Sequence, residues 1–223
     1  MTIRNRYKKA GFLRSSLAIF LVGLFWISSA LRTFAALPQE GTVETIVLVR
    51  HGEKTATELG QLSCKGLNRA LALPDVLIKR YGRPNFIYAP NPSVQMHDRN
   101  GALYSYVRPL ATIEPTAIRL AMPVNTQIGF NEIQKLQEEL MRPTYANSLI
   151  FVAWEHRYLR QLARQMLLSN GKDPSAVPDW PDSDYDSIYI IRIARSSGTP
   201  QVTFAVEREM LTGSLSDSCP PSP

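Results

Sequence analysis

The first 36 residues contain no aspartate or glutamate. They hold six cations instead, Arg4, Arg6, Lys8, Lys9, Arg14 and Arg32, which account for the whole formal net charge of +6 in the 223-residue chain. The remainder balances, with 19 basic and 19 acidic residues. A body without excess positive charge lacks the usual electrostatic footprint of nucleic-acid binding, so no nucleic-acid partner is expected. Cysteine is scarce as well. Two residues, Cys64 and Cys219, are too few for a disulfide-built scaffold. Their spacing leaves open a bridge, which an exported location permits, or two unpaired thiols. No internal repeat is present.

One apolar run, Ser16 to Leu31, follows the basic segment. It is a little short for a comfortable membrane span and about right for the core of a secretory signal. Thr33, Ala35 and Ala36 offer small residues for cleavage; uncleaved, the run is a signal anchor with its basic end in the cytoplasm. Either way residues 1–36 send the rest of the chain to the periplasm or beyond, and membrane contact is confined to 16–31. Residues 37–44 read as a linker, 45–210 as one domain able to bury a real core, and 211–223 as a Ser/Pro-rich tail.

Within that domain, Thr45 to Val49 has the unbroken apolar and β-branched composition of a strand buried on both faces. It ends in Arg50-His51-Gly52-Glu53, at the strand end where open α/β sheets bind ligands. Ser63 is a good N-cap for a helix over 64–80, with Pro74 expected to kink it. A second strand is expected over 85–89, then an irregular polar stretch over 93–106. Pro109 suits the first turn of a helix over 109–120. A third strand follows over 122–128, then a helix over 132–141 capped by Asn131. The fourth strand covers 148–154, and Leu159, Leu162, Ala163, Met166 and Leu167 recur at helical spacing. A loop from Gly171 to Asp186 leads to two last strands, 188–193 and 202–206, joined by a turn. Strands alternating with helices imply an α/β fold, a three-layer αβα sandwich with a mostly parallel central sheet and an antiparallel pair at one edge.

His51 and His156 occupy the same station, just past the first and fourth strands, so a parallel sheet delivers both to one rim. Arg108, ahead of the helix that follows the second strand, reaches the same rim. Two cations, two imidazoles and two helix N-termini converging there make an electropositive pocket sized for a phosphoryl group. The third histidine, His97, lies in the polar stretch and reads as solvated, or less readily as a substrate contact. Asp179, Asp182, Asp184 and Asp186 lack the pattern of a calcium loop and read as a solvated loop. Trp180 and Tyr185 beside them line a pocket mouth or pin the loop down.

The chain resembles the histidine phosphatase superfamily, the phosphoglycerate-mutase-like phosphatases. The resemblance runs from Thr45 to Val206. It rests on Val49-Arg50-His51-Gly52-Glu53, on Leu62-Ser63-x-x-Gly66 followed by Arg69-Ala70, on Arg108-x-x-x-Thr112, and on His156 at a strand end. It implies a phosphoglycerate-mutase-like fold and hydrolysis of a small phosphorylated substrate, with neither metal nor cofactor required. His51 would be the nucleophile, with Arg50, Arg108 and His156 stabilising the transferring group. Gly52 would let the backbone approach the phosphate. Glu53 reads as a support for Arg50, a shaper of the pocket rim, or equally a plain surface acid. The superfamily's two branches place a proton-donating acid either after the third strand or directly after the second histidine. Arg157 holds the latter position here. Glu155 is then the first candidate for the acid, and Glu132, near the end of the third strand, the second, as in the first branch. A non-catalytic anion-binding protein, or a metal-dependent hydrolase with His51, His97 and His156 as ligands, are the competing readings.

Overall fold

A computed structural model of the protein describes residues 41–221 except 58–59, 98–100 and 197–198. The expected leader, with its cleavage site or anchor, lies outside the described residues. All of those belong to the second of the two units into which the chain divides, Pro38–Pro223. Among them no helix is long and apolar enough to cross a membrane.

The central sheet is built from β1 (Thr42–Arg50), β2 (Phe86–Tyr88), β5 (Leu149–Trp154), β6 (Ser187–Arg195) and β7 (Gln201–Arg208), in the order β2-β5-β1-β6-β7. The first three run parallel, β6 runs antiparallel to β1, and β7 antiparallel to β6. Four of the five strands therefore point one way. Alternation along each central strand separates two cores. Ile46 and Leu48 of β1, Ile150 and Val152 of β5 and Ile191 of β6 face α3 (Ile133–Leu140) and α4 (His156–Ser169), where Leu136, Leu140, Leu159, Leu162 and Met166 are buried. Val47, Val49, Phe151, Ala153 and Ile190 face the other way, towards Leu73 and Leu77 of α1 (Cys64–Tyr81) and Ile113 and Ala117 of α2 (Arg108–Leu120). The architecture is a three-layer αβα sandwich.

Three expectations change. The third strand does not form. Pro123 brings no N–H to a ladder, and only Asn125 pairs, through Asn125 N to Ile87 O (2.8 Å) and Ala89 N to Asn125 O (3.0 Å). The stretch over 93–106 is not irregular throughout; it contains a hairpin, β3 (Gln95–His97) against β4 (Leu103–Ser105). Asn131 does not cap α3: Glu132 holds that position, and its Oε2 accepts from Gly129 N at 2.9 Å. The Ser63 cap acts as read. Ser63 Oγ accepts from Gly66 N at 3.1 Å to start α1, which passes through the buried Pro74 as one element.

Cys64 and Cys219 form a disulfide. It fastens the Ser/Pro-rich end to the first turn of α1, where Asn68 Nδ2 also donates to the carbonyls of Ser216 (2.9 Å) and Ser218 (2.8 Å). The bridge spans 155 residues, so opening it frees a long loop in the unfolded chain. Reduction, or Cys219→Ser, should lower unfolding free energy by about 2–4 kcal/mol, measured by urea denaturation with and without dithiothreitol. Equal midpoints would show that the tail contributes nothing.

Candidate active site

β1 and β5 lie side by side in register, with Arg50 opposite Trp154. The residues just past each are therefore neighbours: His51 N donates to Trp154 O at 3.0 Å, and His156 opens α4 two residues after Trp154. Arg108 opens α2 on the same rim. One cavity of about 440 Å³ is lined by Arg50, His51, Arg108, Glu155, His156 and Asp182, with Tyr106 among its walls. The structure thus brings together five of the seven site candidates. Gly52 and Glu53 are not among the residues that line it.

His51 is 3% exposed. Its Nδ1 lies 2.7 Å from Gly52 O. A carbonyl only accepts, so Nδ1 carries the proton and the Nε2 lone pair is left uncommitted. Burial, together with the nearby Arg108 and Arg50, holds its pKa well below the ordinary imidazole value. The ring is neutral and nucleophilic at physiological pH. Tyr106 and Tyr185 meet it edge-on, with centroids 6.1 and 6.3 Å away.

Arg50 is buried, and one arm of its guanidinium is committed. Nη1 donates to the carbonyls of Asp184 (2.8 Å), Asp182 (2.9 Å) and Pro181 (3.3 Å), while the Tyr185 ring lies 3.7 Å from Cζ. Its Nε is buried without a partner. Arg50 therefore has two tasks, fixing the 181–185 loop and presenting charge to the cavity. Arg108 is also buried and packs by the rings of Tyr106 (5.0 Å) and Tyr104 (5.7 Å).

Gly52 is a glycine for a reason other than the one expected. A Cβ there would stand 2.8 Å from Gly66 O, and one on Gly66 would stand 2.3 Å from Glu53 O. Two backbones touch, clamping the loop that carries His51 to α1 rather than opening it to a ligand. Gly52 N further donates to Thr112 Oγ1 (2.9 Å), which donates to Arg108 O (2.8 Å). Glu53 turns away from Arg50: Oε1 and Oε2 accept from Nη2 (2.8 Å) and Nε (3.0 Å) of Arg69, whose side chain is fully buried. Arg69 also meets Glu209 and Thr212 Oγ1 (3.0 Å). This network is not apparent from the motif alone, because Glu209 is distant in sequence.

Neither expected acid is idle. Glu132 is outside the cavity, bonded to Gly129 N and Lys135. Glu155 lines it, but Oε2 accepts from Arg157 N (2.8 Å) and Tyr158 N (3.1 Å) as the cap of α4. Oε1 stands 2.7 Å from His156 Nδ1, a close polar contact without hydrogen-bond alignment. Burial raises the Glu155 pKa, but His156 and the two N–H groups outweigh that and hold it below the usual carboxylate range. Glu155 is ionised. His156 Nε2 is 2.8 Å from Asp182 Oδ1. The aspartate-rich loop is thus not simply solvated: Asp179 meets Arg160 (2.7 Å), Asp184 Oδ2 accepts from Ser187 Oγ (2.7 Å), and Asp182 turns into the cavity. Trp180 is buried in this loop and donates from Nε1 to Asp184 O at 3.0 Å. His97 is exposed on β3 but does line the cavity. No group of three or more His, Cys, Asp or Glu side chains suited to a metal ion occurs among the described residues.

A scan against protein-family models and a search of curated proteins returned no match. Solved structures do resemble the chain. One, assigned as the phosphohistidine phosphatase SixA of Nakamurella multipartitia, has a TM-score of 0.48 and 15% identity, covering 74% of this chain and 95% of its own. A mycobacterial glucosyl-3-phosphoglycerate phosphatase has a TM-score of 0.48 and 12% identity, covering 73% and 97%. A phosphoserine phosphatase of Entamoeba histolytica, in complex with phosphoserine, has a TM-score of 0.46 and 14% identity, covering 77% and 99%. The likeness is one of chain path at low identity, and the site stands on its own geometry.

Proposed function

We propose that the chain is an exported phosphatase that hydrolyses phosphomonoesters, or a related phosphorylated group, through a phosphohistidine on His51. The observation that carries the reading is the state of His51: buried, neutral, its Nδ1–H held by Gly52 O, and lining one cavity with Arg50, Arg108 and His156. Nε2 attacks phosphorus as the bond to the leaving oxygen breaks, and the departing oxygen takes its proton from water. The Gly52 carbonyl steadies the charge that develops on the imidazole. Arg50, Arg108 and His156 stabilise the equatorial oxygens, each well-placed donor contributing roughly 3 kcal/mol. Water then attacks the phosphohistidine, releasing phosphate and restoring His51. The Cys64–Cys219 bridge supports export, since such bonds persist outside the reducing cytoplasm.

In this scheme Glu155 acts through His156 as a positioning residue and not as the proton donor. Glu155→Gln should therefore slow alkyl and aryl phosphates by similar factors, on the order of tenfold, with little change in the ratio of the two. A loss confined to alkyl esters, whose alkoxide needs a proton, would restore the acid assignment. The function itself is tested by phosphomonoester turnover in the presence of a chelator: persistence supports the reading, and dependence on added metal favours the metal-hydrolase alternative. A reporter fused after Leu37 that stayed in the cytosol would contradict export.

A further inference from the structure

We propose that Asp182 is a built-in competitor for the substrate's phosphoryl group: a loop carboxylate that occupies the anion position on His156 and sets how tightly the cavity takes a phosphoryl dianion. The inference rests on the phosphatase reading. His156 has two ring nitrogens, and Nδ1 is turned to Glu155 at 2.7 Å. Nε2 is the one left to meet substrate, and Asp182 Oδ1 stands 2.8 Å from it. The same carboxylate takes Nη2 of Arg157 at 2.8 and 3.0 Å. A carboxylate oxygen on a histidine nitrogen, within a cavity that also presents Arg50 and Arg108, stands where a phosphoryl oxygen would bind.

The arrangement is asymmetric. The Asp182 side chain is 68% exposed and that of His156 only 4%. An aspartate with access to water reaches inward to a buried ring. Its contacts with Arg157 and His156 hold its pKa down to about 2, so it remains an anion at any ordinary assay pH. The backbone beneath it is fixed, because Arg50 Nη1 holds the carbonyls of residues 181, 182 and 184, and Trp180 anchors the Asp184 carbonyl. Substrate entry then requires the Asp182 side chain to rotate off His156 while the loop stays in place. With Glu155 also ionised, a phosphoryl dianion meets two carboxylates beside its site. Asp182 is thus a specificity-determining residue whose charge weakens binding of dianionic groups.

Asp182→Asn separates charge from geometry, since an amide oxygen still accepts from His156 Nε2. Binding of inorganic phosphate is measured by calorimetry, and KM and kcat with a phosphomonoester, in the full-length protein. Asp179→Asn serves as the control: it removes the same charge from the same loop, but its partners, Arg160 and Arg164, do not line the cavity. The expected result is phosphate binding and KM tightened on the order of tenfold in Asp182→Asn, which corresponds to about 1.4 kcal/mol, with kcat within about threefold and the control unchanged. Unchanged or weaker phosphate binding in Asp182→Asn overturns the inference, as does an equal shift in the control. A fall in kcat at constant KM also overturns it, making Asp182 an orienting partner of His156. If the wild-type protein neither binds phosphate nor turns over a phosphomonoester, the phosphatase reading fails first, a result distinct from all of these.

Discussion

His51→Ala should abolish phosphomonoester turnover, lowering kcat by on the order of 10⁴- to 10⁶-fold, the range expected when a covalent nucleophile is removed. The electropositive cavity would remain, because Arg50 and Arg108 are held independently of the ring: Arg50 by the 181–185 carbonyls, Arg108 by its place in α2 beside Tyr106. Phosphate binding should therefore survive with a change of less than about tenfold. His51→Asn, which keeps an N–H to offer Gly52 O, guards against a folding defect. Steady-state kinetics and phosphate calorimetry on both variants check the result. Residual activity within tenfold of wild type would remove His51 from the chemistry, and an inactive wild type that binds phosphate would favour the anion-binding alternative.

The largest effect on stability is expected at Arg69. Its fully buried guanidinium faces three carboxylates, Glu53, Glu209 and Asp186, at the junction of the loop that carries His51, α1 and the C-terminal stretch. Arg69→Met leaves them without their common counter-ion, and breaking a buried pair in this way costs about 3–5 kcal/mol. For a domain of this size that is a fall in Tm of roughly 10 °C. Because Glu53 adjoins Gly52, activity should fall as well. A variant as stable as wild type would show the network to be superfluous.

The same cluster carries a pH signature. One guanidinium among three carboxylates leaves acid in excess, and burial, opposed by Arg69, pushes the Glu209 pKa up to about 8. A carboxyl raised in the folded state is more easily kept protonated there than in the unfolded chain. Its contribution to stability is fully present below the unfolded value near 4.5 and is lost as pH rises through about 8. Glu209→Gln should flatten the decline between pH 5 and 8.5 in urea titrations. Glu44, whose pKa burial raises to about 7, is present in both proteins and cancels in the comparison. Parallel profiles would contradict the assignment.

Much of this fold is legible in the sequence because the central strands are apolar without interruption. Thr45 to Val49 and Leu149 to Trp154 have no polar face to place in water, which leaves the middle of a sheet as their location, and their polar ends then meet on one rim. The sequence failed where a residue's role depends on a distant partner. Gly52 reads as a phosphate-facing glycine until Gly66 is seen against it. Glu53 reads as a rim acid until Arg69 and Glu209 close around it. Asp182 reads as one of four similar loop aspartates, and only the fold turns it alone onto His156. The stretch over 122–128 has the composition of a strand, but Pro123 and the turn at Asn125, whose Oδ1 accepts from Gln127 N at 3.1 Å, leave it a single bridge. Local propensity gave the elements, and long-range polar pairing assigned the residues at the rim.

The proposed mechanism requires a covalent bond between phosphorus and one nitrogen. Purified protein mixed briefly with a phosphorylated substrate and quenched in alkali should carry a phosphoryl group that is stable to base, lost in acid, and located on His51 Nε2 by ³¹P NMR and peptide mapping. A label on any other residue, or turnover with no label under rapid quenching, would contradict it.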